Sequence, residues 1–322
     1  MLLILLLIAG CSLAIYYFGD WFANASTRIG DHYKLPRGVK GATLDAINSS
    51  LPELMVALFA IIFFGRFDVG VATIAGSAAF NLLVIPALCA LLAPVALKIG
   101  GHVLDRDGLF FFVSLVLFIG AVWYAKEWGV LISLMLLAVY ALYINRFITH
   151  TKAHKQVVAE KRTRIPRDVF ILIVSMVGIA GASFILVDQA ILLATALNIH
   201  PILIAFTVIA GATSIPDTVV SVVNARKGSG DDAISNALGS NTFNILVGLP
   251  IPVLAHVLFV GEPVTVAFAN IEILFGLLIA TIVVLYFIAN NKTLSKKEGA
   301  ILLGVYILFM TYVIVLALHT PV

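Results

Sequence analysis

Two short segments of this 322-residue chain place an acid directly after a proline: Asn48-Ser49-Ser50-Leu51-Pro52-Glu53-Leu54 and Ala212-Thr213-Ser214-Ile215-Pro216-Asp217-Thr218. Ser49 lies four positions before Glu53 and Thr213 four before Asp217, so on a helix each hydroxyl shares a face with its acid. Two further segments, Gly76-Ser77-Ala78-Ala79-Phe80-Asn81 and Gly239-Ser240-Asn241-Thr242-Phe243-Asn244, repeat that spacing in Ser77 and Asn81 and in Ser240 and Asn244. Pro52 and Pro216 have no backbone N–H, so each leaves the carbonyl four residues earlier, on Asn48 and Ala212, without its helical partner. Together these groups offer hydroxyl, amide, carbonyl and carboxylate oxygens, the hard ligands that Ca²⁺ takes in sets of about 6 to 8. No His or Cys joins them. That turns the inventory away from Zn²⁺ and Cu⁺ and toward Ca²⁺, Na⁺, Mg²⁺ or H⁺.

The elements that must carry these residues are membrane spans. The chain is 61% hydrophobic and 11% charged, with a mean hydropathy of +1.10, values outside the soluble range. Runs of about 20 apolar residues, the length that crosses a hydrocarbon core of about 30 Å, fall near 2–18, 41–64, 71–96, 108–125, 128–148, 169–192, 201–225, 233–258, 265–289 and 299–318. The predicted fold is therefore an all-α membrane protein of ten transmembrane helices, with the chemistry inside the membrane. Lys and Arg accumulate in cytoplasmic loops. Eighteen of the 20, Arg28, Arg106 and Arg226 among them, follow the odd-numbered spans, and only Arg66 and Lys126 fall on the other side. Both termini are thus expected outside, and the basic stretch 149–168 in the cytoplasm, between a first five-helix half (1–148) and a second (169–322). The short loops favour a prokaryotic plasma membrane, and the net charge of +3 calls for no nucleic-acid partner.

The halves repeat. The prolines are offset by 164 residues and the Gly-Ser pairs by 163, with segments 41–92 and 205–255 as the two copies. The first copy begins in a span running from inside to outside and the second in a span running from outside to inside, so the copies are inverted. Inverted repeats whose broken helices meet near the midplane are a recurrent secondary-transporter design, with the site at the repeat interface and alternating access around it. An ionised carboxylate at the bilayer centre costs at least about 2.5 kcal/mol, and two close acids repel. One divalent ion or several monovalent ions neutralise the pair, and exchange follows from that competition.

At these motifs the chain resembles the cation/Ca²⁺ antiporter superfamily, the sodium/calcium exchangers, whose two alpha-repeats carry a Pro-acid signature on one broken helix and a Gly-Ser signature on the next. Segments 210–217, 225–228 and 239–250 are most similar to the potassium-dependent branch. The resemblance implies an antiporter with Ca²⁺ and Na⁺ as substrates, no enzyme activity and no resident cofactor. It implies Glu53 and Asp217 as central Ca²⁺ ligands, with Ser49, Ser50, Thr213 and Ser214 supplying hydroxyl or carbonyl oxygens. Ser77, Asn81, Ser240, Asn241 and Asn244 complete the Na⁺ sites. Where that branch has Asp, this chain has Asn244, which implies exchange without K⁺. Asn48-Ser49 replaces a Gly-Gly pair, which bears on selectivity. Ca²⁺/H⁺ exchange is the alternative.

Other features read as structural. Ile8-Ala9-Gly10-Cys11 resembles a lipoprotein box but follows too short an apolar run with no preceding Lys or Arg. Cys11 and Cys89 are expected to pack as small hydrophobes. Gly228-Ser229-Gly230-Asp231 fits an intramembrane aspartyl-protease signature in a polar turn, with no Tyr-Asp partner in any span. Asp45 is expected at an interface, Glu272 facing the bundle, and His102, His200 and His256 near span ends.

Overall fold

The computed structural model describes residues 1–33, 46–151, 165–266 and 271–319, and these are almost wholly helical. In chain order the helices are α1 (Leu2–His32), α2 (Ala46–Ile62), α3 (Phe67–Leu92), α4 (Leu104–Tyr124), α5 (Val130–Thr151), α6 (Ile165–Leu197), α7 (Pro201–Thr213), α8 (Ile215–Arg226), α9 (Gly230–Val260), α10 (Ile271–Asn291) and α11 (Lys296–His319). Among the described residues, seven of these are long and apolar enough to cross a membrane. An eighth span is formed if α7 and α8 are taken together, and α2 and α5 are shorter apolar helices. The protein is an all-helical integral membrane protein.

Two-residue strands join the halves. β1 (Leu97–Lys98), after α3, pairs antiparallel with β4 (Thr293–Leu294), after α10. β2 (Glu127–Trp128), after α4, pairs antiparallel with β3 (Val264–Thr265), after α9. Each ribbon thus takes one strand from each half.

The packing order follows from side-chain size and polarity. In α3, 83% of the most apolar window is buried, against 22% in α1 and in α11, so α3 is core and the other two are rim. Small residues allow that centrality. Gly76 of α3 faces the backbone of α7, where an added Cβ would lie 2.8 Å from the Ala210 Cβ and overlap the Phe206 carbonyl oxygen. α2, α3, α8 and α9 pack on one another, while α1 and α6 lie together along their edge.

Several helices depart from the sequence expectation. α1 runs to His32 rather than ending near 18, because Arg28 bonds Asp168 on α6 at 2.7 Å, which lets polar residues extend the helix beyond its apolar run. Arg28 is therefore helical, not a loop residue, and Arg106 and Arg226 likewise lie within helical segments. The stretch 149–168 is helical at both ends, since α5 continues to Thr151 and α6 starts at Ile165. Lys152, Lys155, Lys161, Arg162 and Arg164 lie outside the described residues, as do Lys34, Arg37, Lys40 and Asp45. Glu272 is exposed rather than bundle-facing, because Ile273 and Leu274 take the buried face of α10. Cys11 and Cys89 are buried free thiols, as expected.

Candidate cation site

The two Pro-acid segments fold differently. Pro52 lies inside the continuous helix α2, so the expected break is missing there over the described residues. Pro216 sits in the first turn of α8, after a 46° bend at Ser214. A π-helical turn at Ala205–Ile209 precedes that bend, and a proline in a first turn forfeits no hydrogen bond. At Pro52 the helix continues to Ile62 despite the missing N–H. The Gly-Ser segments match closely: α3 and α9 each pass into a π-helical turn, Phe80–Val84 and Asn244–Gly248, at the Phe-Asn that both copies carry. Such turns are frequent at functional sites.

Glu53 and Asp217 are both 0% exposed. Around Glu53, the Ser77 hydroxyl donates to Oε1 at 3.2 Å and the Ser214 hydroxyl to the same oxygen at 3.4 Å. Ser77 and Ser214 are 2.9 Å apart, and the Asn244 amide donates to Ser77 at 3.3 Å. Around Asp217, Ser240 donates to Oδ1 at 2.8 Å and the Asn81 amide to Oδ2 at 3.0 Å, while Ser49 and Ser240 lie 3.0 Å apart. Each acid is thus served by the Gly-Ser helix of its own repeat and by an Asx or Ser residue of the other repeat. Asn241 joins the copies through its amide to the Ala78 carbonyl at 3.1 Å. Asn48, Ser50 and Ala212 are buried there without such a cross-link, while the Thr213 hydroxyl turns to the Ile209 and Ala210 carbonyls and also lies within reach of Glu53.

What remains unsatisfied is telling. Among the described residues, nine buried side-chain N or O atoms lack a hydrogen-bond partner, and six of them are oxygens of Asn48, Ser50, Glu53, Asn81, Asn241 and Asn244. An unpartnered buried acceptor costs about 1–3 kcal/mol, and a cation bound among these oxygens would offset that cost. No cluster of three or more His, Cys, Asp or Glu side chains suited to a metal occurs among the described residues. The donor set is therefore two carboxylates amid neutral oxygens, which fits a hard, mobile cation.

Two polar neighbours escaped the sequence reading. Asn236 donates to the Asp217 carbonyl at 3.3 Å and to Ser221 at 3.0 Å. Their signal was available: Asn236 stands four before Ser240 and Ser221 four after Asp217, one helical turn from the site on each element. The Gly228-Ser229-Gly230-Asp231 motif has a structural task. Gly228 takes φ +82°, Gly230 packs on the Lys98 carbonyl, and Asp231 accepts the Gly100 N–H at 2.6 Å. His200 caps α7 by accepting the Ile202 N–H, and His256 lies within α9. The side chain of His102 lies outside the described residues.

The fold and this geometry define an integral membrane protein with a paired-carboxylate, all-oxygen site at its centre. The family model of the sodium/calcium exchanger protein matches residues 3–149 and 168–315. The chain belongs to the sodium/calcium exchanger family, a transporter family. It is 26% identical to an uncharacterised membrane protein of Methanocaldococcus jannaschii, over 91% of this chain and 92% of that one. It is 30% identical to the inner membrane protein YrbG of Escherichia coli, over 77% and 78%. With sodium/potassium/calcium exchanger 2 of Rattus norvegicus it shares 37% identity over 44% of its length, spanning 22% of that longer protein. Structures of the sodium-calcium exchanger NCX_Mj share the fold, with a TM-score of 0.66, 23% identity and coverage of 95% of this chain and 98% of that one.

Proposed function

We propose that the protein is a secondary active antiporter that exchanges Ca²⁺ for Na⁺ by alternating access, without K⁺. The observation that carries this is the set of six unpartnered oxygens around the buried Glu53 and Asp217. Two carboxylates neutralise one Ca²⁺, and the same acids with the surrounding amides and hydroxyls serve Na⁺ ions in its place. An empty, doubly charged site is costly at membrane depth, so movement between the two faces is favoured when ions fill it. In this reading Glu53 and Asp217 hold Ca²⁺ with Ser49, Ser50, Thr213, Ser214 and the Asn48 and Ala212 carbonyls. Ser77, Asn81, Ser240, Asn241 and Asn244 complete the Na⁺ positions.

The architecture proposed is ten spans in two inverted five-helix halves, both termini outside, in a prokaryotic plasma membrane. Repeat symmetry in the contacts supports it. The strand after the third span pairs with the strand after the ninth, and the strand after the fourth with the strand after the eighth. Exchanging the halves interconverts these two ribbons, as inversion requires. The family membership and the prokaryotic relatives support the substrate and the membrane.

Proteoliposomes loaded with Na⁺ and diluted into Ca²⁺ test the reading. Uptake driven by an outward Na⁺ gradient, unchanged on adding K⁺, is expected. Uptake driven only by a pH gradient would replace Na⁺ by H⁺, and absence of Ca²⁺ movement under every gradient would remove the substrate assignment. A second expectation concerns Asn244, whose Oδ1 is unpartnered and whose amide reaches Ser77. Asn244→Asp adds a third buried carboxylate and so demands another cation. Uptake by this variant is expected to fall about tenfold without K⁺ and to recover when K⁺ accompanies Ca²⁺, a pattern the wild type lacks.

A further inference from the structure

One buried acid takes no part in the site. Asp107, at the start of α4, is 0% exposed and accepts from three side chains on three elements. Arg106 grips both its oxygens at 2.7 Å, Tyr143 of α5 donates to Oδ1 at 3.0 Å, and Ser235 of α9 donates to Oδ2 at 2.5 Å. Arg106 also donates to Ser235 at 3.0 Å. A carboxylate so deep persists because these charge-assisted bonds replace its water. Its negative charge is matched by Arg106, so the cluster is an anchor and not a second cation site.

What it anchors is the helix of the site. Asn236, the next residue after Ser235, bonds Asp217 and Ser221, and Ser240, little more than a turn on, donates to the Asp217 carboxylate. The Tyr143 hydroxyl also lies 3.3 Å from where a Gly239 Cβ would stand. A helix advances about 1.5 Å and 100° per residue, so fixing the rotation of α9 at Ser235 fixes the direction of Ser240, Asn241 and Asn244. Among the described residues, the other half shows no such device. At the repeat offset, Ser235 is matched by buried Ala72 and Asn236 by Thr73, whose hydroxyl turns back to Val69.

We propose that Asp107 is a positioning residue that sets the rotation of α9 and thereby the ligand geometry at Asp217, giving the two repeats unequal hold on their Gly-Ser helices. This rests on the exchange reading only for its transport arm. Asp107→Asn and the milder Ser235→Ala are compared with wild type in Na⁺-driven Ca²⁺ uptake. The expected result is a rise in apparent KM for Ca²⁺, about tenfold for Asp107→Asn and about threefold for Ser235→Ala, with the maximal rate per folded protein kept within about twofold. An unchanged KM in both variants would overturn the proposal, since lost protein alone lowers the total rate and leaves KM untouched.

A second arm needs no transport. Ala237 is 0% exposed on α9. In a chain with Cys11 and Cys89 replaced by Ala, an Ala237→Cys thiol is expected to react with a membrane-impermeant maleimide several-fold faster when Asp107→Asn is added. Equal labelling rates overturn the proposal. If wild type moves no Ca²⁺, the exchange reading fails and this labelling alone decides the anchor.

Discussion

Glu53→Gln is expected to reduce Na⁺-driven Ca²⁺ uptake by ~100-fold or more while leaving the purified protein folded and melting no lower than wild type. The two effects have opposite signs for one reason. Glu53 is fully buried; its Oε1 accepts from Ser77 and Ser214, and its Oε2 has no partner. Glutamine keeps an acceptor oxygen for the serines and puts its NH₂ where no donor competes, so the protein sheds a buried charge without losing a hydrogen bond. The ion loses half of its carboxylate charge. Removing one partner of a buried charge pair costs about 2–5 kcal/mol, and about 2.7 kcal/mol is a hundredfold. Asp217→Asn is expected to lose transport equally but to melt lower. Both Asp217 oxygens accept, from Ser240 and from Asn81, so an NH₂ there meets either the Asn81 amide donor or a Ser240 hydroxyl that must turn round to accept it and lose its own bond to residue 217. Uptake in proteoliposomes beside thermal melting in detergent checks both. Retained uptake in Glu53→Gln would remove Glu53 from the ion path.

The second large effect is steric. Gly76→Val is expected to destabilise the protein by about 1–3 kcal/mol, the usual range for overpacking, and to cut uptake in the fraction that folds. A branched Cβ at 76 would press on the Phe206 carbonyl, which is backbone, and on the Ala210 Cβ, which no rotamer can move aside. α3 and α7 must separate, and the neighbouring Ser77 would leave both Glu53 and Ser214. Gly120→Ala is the control: it lies within α4 with nothing within 4 Å of an added Cβ. There alanine is expected to be neutral or stabilising by up to about 1 kcal/mol. Equal melting temperatures for the two variants would show that the α3–α7 crossing has room to yield.

Much of this was legible before any coordinates. Over the described residues the apolar runs are largely helical, and the residues of the two repeated motifs, 164 and 163 apart, come together because a polar side chain at membrane depth has few other places to be satisfied. What the pattern could not supply was register and reach. Nothing in Pro52 and Pro216 distinguishes a continuous helix from a bent one, since the difference lies in the π-helical turn before Ser214. The end of α1 was missed because an apolar-run criterion stops at Asp20, whereas the helix is extended by Arg28 meeting Asp168 far along the chain. Arg106 was counted as a loop cation. Its neighbour Asp107 becomes visible as an anchor only when α4, α5 and α9 are assembled. Asp105-Arg106-Asp107 at the head of an apolar run was the available signal.

The ribbons and the site also dictate an order of assembly. Leu97 finds Leu294, and Ala78 finds Asn241 across 163 residues. At roughly 5–20 residues per second, that interval alone occupies roughly 8–30 s of synthesis. Until Ser214 and Asp217 emerge late in it, Glu53, Ser77 and Asn81 sit in the membrane without their partners from the second half, and Ser77 still waits for Asn244 of α9. The newborn first half is therefore a waiting intermediate, and the interval in which a membrane chaperone or protease could act on it ends when α9 arrives.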